Sequence, residues 1–166
     1  KKNFLFIPII IDENKKDLLI FYNNKIYETW NKELKETMLV NYILPTEDLE
    51  DLNLLKSKFD LIETYDFKEI TSKYDLKDSI IALIFRNEND IRILSRINLD
   101  GETTLKNQSF VNMSFENEDS INIIINDLKT FYEDFWKKYN QINTSIKLVI
   151  NVKIKNPKSQ VGHFRV

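Results

Sequence analysis

Residues 80–85, Ile80-Ile81-Ala82-Leu83-Ile84-Phe85, are apolar without a break. Such a run predicts a central strand covered on both faces. Downstream, Asn87 to Asp90 reads as a turn. Ile91, Ile93 and Ile97 then alternate with Arg92, Leu94 and Arg96, which predicts a strand with one wetter face. Asp100-Gly101 is a hairpin signal, because Gly tolerates the positive φ of a tight turn. Thr103 to Phe115 supplies the returning strand, so the three strands form an antiparallel meander. The periodicity of Ile121, Ile124, Ile125, Leu128, Phe131, Tyr132, Phe135, Trp136 and Tyr139 predicts a helix from about Asp119 to Asn140. Ile146 to Ile154 reads as a last strand, and 155–166 as a loop or truncated C-terminal segment.

Upstream, Phe4 to Ile11 is a second buried strand, with Pro8 marking an edge or a bulge. Asp12 to Lys16 is a polar turn, and Leu18 to Tyr22 completes a hairpin. Asn23 or Asn24 caps a helix whose stripe is Ile26, Trp30, Leu34 and Met38. Leu39 to Leu44 is a short strand stopped by Pro45. Thr46 opens a helix with Glu47 and Asp48 in its first turn, where acids complement the positive helix end. Its buried face is Leu49, Leu52, Leu55 and Phe59. Asp66 and Glu69 have the spacing of a capping box ahead of a short helix bearing Phe67, Ile70 and Tyr74. Helices interspersed with a mixed sheet imply an α/β fold, with α+β as the alternative, arranged as a two- or three-layer sandwich. One domain spans 4–154.

Composition narrows the chemistry. The chain has 166 residues, 42% hydrophobic and 12% aromatic, enough for one buried core. No apolar run reaches the roughly 18 residues of a membrane span. Lys1 and Lys2 precede a short apolar run without a cleavage site, which is not a signal-peptide pattern. A mature or excised segment of an exported precursor fits the same residues. Net charge is −2, so no footprint for nucleic acid is expected. Ten acids and five lysines lie between Pro45 and Asp78, and five basic residues but no acid between Ser145 and Val166.

Cysteine is absent, which excludes thiol nucleophiles and Cys-ligated zinc. The one histidine, His163, lies in the C-terminal stretch and is a poor base for a Ser-His-Asp arrangement. Gly101 and Gly162 are the two glycines, too few for a phosphate-cradling loop. Glu47, Asp48, Glu50 and Asp51 are the densest acids, and they read as a solvated helix start rather than a metal site. Carboxylates are plentiful enough that a paired-carboxylate hydrolase stays on the list. No cofactor, catalytic residue or metal ligand is expected.

Four segments carry a resemblance. Phe4-Leu5-Phe6-Ile7-Pro8-Ile9, Leu18 to Trp30, Leu44-Pro45-Thr46-Glu47-Asp48-Leu49-Glu50-Asp51, and Ile70 to Tyr74 ahead of Ile80 together resemble the proteobacterial family labelled domain of unknown function 2066. Lys25 stands where that family has Pro, and no Gly precedes Asp48. The resemblance covers most of the chain and implies a periplasmic or cell-envelope setting, but no reaction. It marks Trp30, Pro45, Asp48 and Asp51 as a candidate interaction surface. The expected function is a non-enzymatic interaction or scaffolding domain of a bacterial cell-envelope protein, with a protein partner. The alternative is a small-molecule or glycan binding module using a pocket among the aromatic residues. A carboxylate-dependent hydrolase is third.

Overall fold

The structure is a computed structural model that describes residues 1–33, 35 and 38–155, without the side chains of 145–155. Its elements are β1 (Lys2–Asp12), β2 (Asp17–Leu19), α1 (Lys25–Thr29), β3 (Val40–Ile43), α2 (Leu49–Ser57), α3 (Lys68–Thr71), β4 (Ser79–Arg86), β5 (Asp90–Leu99), β6 (Glu102–Val111) and α4 (Glu118–Lys155). The six strands form one mixed sheet in the order β2-β1-β4-β5-β6, and β3 pairs with β1 on the same side as β2. The α/β reading and the antiparallel meander β4-β5-β6 hold. The chain divides into two compact units, Lys1–Leu128 and Lys129–Val166, with the division inside α4.

The unbroken apolar run is indeed central. β4 lies parallel to β1 and antiparallel to β5, with Ile80, Ile81, Ala82, Leu83 and Ile84 at most 1% exposed. On one face, Ile7, Ile9 and Ile11 of β1 join Ile81, Leu83 and Phe85, and Leu55, Ile62, Phe67 and Ile70 cover them. The register puts Phe6, Ile80 and Ile97 together on the opposite face. There Trp30 stacks on Phe6 with ring centroids 4.0 Å apart, and Tyr42 meets both edge-on. Ile121, Ile124, Ile125 and Leu128 of α4 are buried and take no part in the first core.

Pro8 sits at a locally open edge of β1, although β1 is not an edge strand. β3 pairs with residues 2–5 of β1 and β2 with residues 10–12, so Pro8 falls in the gap between two short strands. A residue without an N–H is tolerated there because no ladder bond is required of it. Its carbonyl accepts a hydrogen bond from Asn24 Nδ2 at 3.0 Å, and the same amide donates to the Leu19 carbonyl at 3.1 Å. Asn24 Oδ1 accepts from the backbone N–H groups of Ile26 and Tyr27, capping α1 as expected.

Several local expectations shift. The second strand ends at Leu19, because Phe21 takes φ of 57° and turns the chain into a 3-10 turn over Phe21–Asn23. α1 stops at Thr29, so Met38 is not helical, and Leu34 lies outside the described residues. Asp48 is the N-cap of α2, not part of its first turn; its Oδ1 accepts from Glu50 N–H at 2.8 Å. Leu49 is exposed, whereas Leu55 is buried. No capping box forms at Asp66: its Oδ1 accepts from Lys68 N–H, while the Tyr65 hydroxyl donates to Glu69 Oε1. α4 continues through 146–154 instead of breaking into a strand. A short β-branched apolar run has no periodicity that separates strand from helix, and no Gly or Pro interrupts residues 119–156. The C-terminal segment from 156 on, including His163, lies outside the described residues.

Candidate functional site

The four residues marked by the resemblance do not form one surface. Trp30 is fully buried against Phe6 on one face of the sheet. Pro45 and Asp51 border a small recess with Ile7 and Ile70 on the other. Pro45 and Asp51 are buried too, and Asp48 is half-buried. The last three belong to a structural clamp. Lys73 forms ion pairs with both Asp48 and Asp51 and so ties the start of α2 to the segment after α3. The Tyr27 hydroxyl donates to the Pro45 carbonyl at 2.7 Å, and Thr46 N–H donates to the Tyr74 hydroxyl at 2.9 Å. Hydrogen bonds from Glu50 N–H and from Lys73 hold the Asp48 carboxyl below the usual range, and Asp51 holds the Lys73 ammonium above its own. These groups serve folding, which leaves Asp48 alone as a partly accessible member of the expected surface.

A polar concavity forms elsewhere, and topology explains why. β1 and β4 are parallel neighbours, and both end at the same rim with a charged residue, Asp12 and Arg86. The chain leaving β1 turns outward to β2, and the chain leaving β4 turns the other way to β5. Two loops that diverge from adjacent parallel strands leave a crevice at the carboxyl ends, which is where open α/β sheets bind ligands. Here the crevice is a half-open cleft of about 330 Å³.

Three loops wall it: residues 12–15, residues 86–89, and the β6–α4 connector at 113–116. The connector is held by Met113 N–H donating to the Asn89 carbonyl at 3.0 Å. At the base, Arg86 Nη2 and Nε donate to Asp12 Oδ2 at 3.0 and 3.3 Å. Asp12 Oδ1 accepts from the backbone N–H groups of Lys15 and Asn14 at 3.0 and 3.1 Å. The Lys15 N–H, with Arg86 adding to it, keeps the Asp12 carboxyl below its ordinary pKa in spite of burial. Asn14, Asn87, Asn89, Ser114, Glu88 and Glu116 complete the polar lining, and Ile91, Met113 and Phe115 give it an apolar floor.

The sequence reading missed this site, though each part left a signal. Asp12 and Arg86 are the charged residues directly after the two longest apolar runs. Asn14, Asn87 and Asn89 fill the two turns that follow, and they were read only as turn formers. The aromatic residues of α4 pair with one another. Phe131 and Tyr132 meet each other, as do Trp136 and Tyr139, within the second unit.

The cleft contains no Cys and no His, and no group of three or more metal-ligating side chains occurs among the described residues. A general acid needs a carboxyl with a raised pKa, whereas Asp12 is lowered. No described helix is long and apolar enough to cross a membrane. No family model, no curated protein and no solved structure matches this chain significantly.

Proposed function

We propose that this chain is a non-enzymatic binding domain of a bacterial cell-envelope protein, and that its partner or ligand engages the cleft between Asp12 and Arg86. One observation carries the reading: the concavity at the carboxyl ends of β1 and β4 is walled by polar side chains and its lining includes neither Cys nor His. The Asp12–Arg86 pair is consumed in holding the two strand ends together, which suits recognition better than turnover. The envelope setting rests on the resemblance of the Phe4–Ile9, Leu18–Trp30 and Leu44–Asp51 segments. The hydrolase reading gains no raised-pKa acid from Asp12, whose carboxyl the Lys15 N–H and Arg86 hold below its ordinary value.

Site-directed photo-crosslinking tests the proposal. The full chain carries a photoreactive side chain at Asn87 in the cleft, or at the exposed Lys32 as control. Each is irradiated with periplasmic and membrane extracts of a proteobacterium. A discrete adduct from position 87 that is missing from position 32 is the expected result. Equal adducts from both positions, or none from position 87, would sink it.

A further inference from the structure

We infer that the cleft recognises a neutral, hydroxyl-rich ligand, a saccharide of one or two rings. This rests on the binding reading above and adds the chemistry of what is bound. Asn14, Asn87 and Asn89 come from two different turns, are exposed, and line one cavity. Asn87 Oδ1 accepts from Glu88 N–H at 2.9 Å; the side-chain NH₂ groups of all three have no partner among the described residues. A carboxamide presents two donors beside an acceptor, and a sugar hydroxyl donates and accepts at once. Such amides therefore match polyols, whereas an anion offers acceptors alone.

Charge points the same way. The Arg86 guanidinium turns its Nε and Nη2 edge to Asp12, leaving Nη1 without a partner among the described residues. Its charge is compensated by that carboxylate, so it offers orientation rather than attraction for an anion. Across the lining, Asp12, Glu88 and Glu116 face Lys15 and Arg86, three negative against two positive. A phosphate or carboxylate ligand would meet net repulsion. Half-buried Met113, over the buried Ile91 and Phe115, gives the C–H face of a sugar ring an apolar surface. At ~30 Å³ per water, about 330 Å³ holds roughly eleven waters, room for one or two rings with bridging waters.

The test is a titration of the isotope-labelled full chain followed by NMR. The probes are glucose, N-acetylglucosamine and maltose on one arm, and inorganic phosphate and citrate on the other. Each is used at ~10 mM, an excess over the roughly millimolar Kd of a weak single site. Neutral sugars are expected to move the side-chain NH₂ signals of Asn14, Asn87 and Asn89 and the Arg86 Nε–H signal. Asn14→Ala should weaken the sugar about 5-fold or more, and because the Asn14 side chain has no bond to the rest of the protein, the fold should be unchanged. Shifts from phosphate or citrate without shifts from sugars would overturn the assignment, and so would silence from every probe. If sugars fail while position 87 still crosslinks a discrete occupant, the saccharide assignment falls and the binding reading stands. If both fail, both fall.

Discussion

Asn24 is a single side chain whose removal should undo a large part of the domain. It is fully buried and makes four side-chain hydrogen bonds. Two of them cap α1, and two donate into the gap beside Pro8 where no strand pairs. Asn24→Ala removes the cap, which costs about 1 kcal/mol. It also strands the Pro8 and Leu19 carbonyls, at about 1–3 kcal/mol each. Because neighbouring terms are not additive, a total of about 3–5 kcal/mol is expected. Against a typical stability of about 5–15 kcal/mol, that is about a fifth or more of what a domain has.

The assay is equilibrium urea unfolding read by tryptophan fluorescence. Trp30 and Trp136 are the two tryptophans, one in each unit. In a Trp136→Phe background the signal reports the sheet domain alone. With m of about 2 kcal/mol/M, a loss of about 4 kcal/mol lowers the midpoint by about 2 M. Asn24→Asp separates the two roles. Asp caps a helix as well as Asn does, but its carboxylate cannot donate and would face two carbonyls. It should therefore be at least as damaging as Asn24→Ala. If Asn24→Asp stays within about 1 kcal/mol of wild type, the bonds to Pro8 and Leu19 contribute nothing and the argument from the gap is refuted.

Four further outcomes follow from the structure. Pro8→Ala should change stability by less than about 1 kcal/mol, since the gap offers its new N–H no ladder partner. Ala82→Pro, directly opposite in a strand paired on both sides, should cost about 3 kcal/mol or more in the same urea assay. Asp12 has a folded pKa below its unfolded value, so its contribution is complete above about pH 5 and is lost as pH falls through the folded pKa. Unfolding curves at pH 6 and pH 3 should show Asp12→Asn losing less stability on acidification than wild type, and an identical loss would refute the assignment. Gly101 has φ of 82° with nothing within 4 Å of an added Cβ, so Gly101→Ala should cost about 1–2 kcal/mol from backbone strain alone, measured as a lower thermal midpoint.

Legibility in the sequence followed the range of the signal. Ile80 to Phe85 declared a central strand because burial on both faces is a one-dimensional demand for unbroken apolar residues. Asp100-Gly101 declared its turn because positive φ favours glycine, and both residues have it, at 51° and 82°. The short apolar run at 146–154 fits either period, and the four-residue spacing from Ile26 to Met38 carries on past Thr29, where α1 stops. Asp48 is the cap rather than a first-turn residue, since an acidic residue near a helix start serves in either place.

The candidate site lay further from reach. Asp12 and Arg86 are 74 positions apart and meet only because β1 and β4 run parallel in register, with Asp12 opposite Arg86. Trp30 and Asp51 show the converse: both were marked as surface, and the sheet put them on opposite faces, buried. The amino-acid order alone determined the burial of β1 and β4, the meander, a helix cap at Asn23 or Asn24 and the shortage of nucleophile and thiol chemistry. Each is a property of one residue or of a short run. The cleft was decided only by the tertiary structure. Which loops diverge at a sheet's rim depends on strand order, and strand order is set by how distant apolar faces pack together.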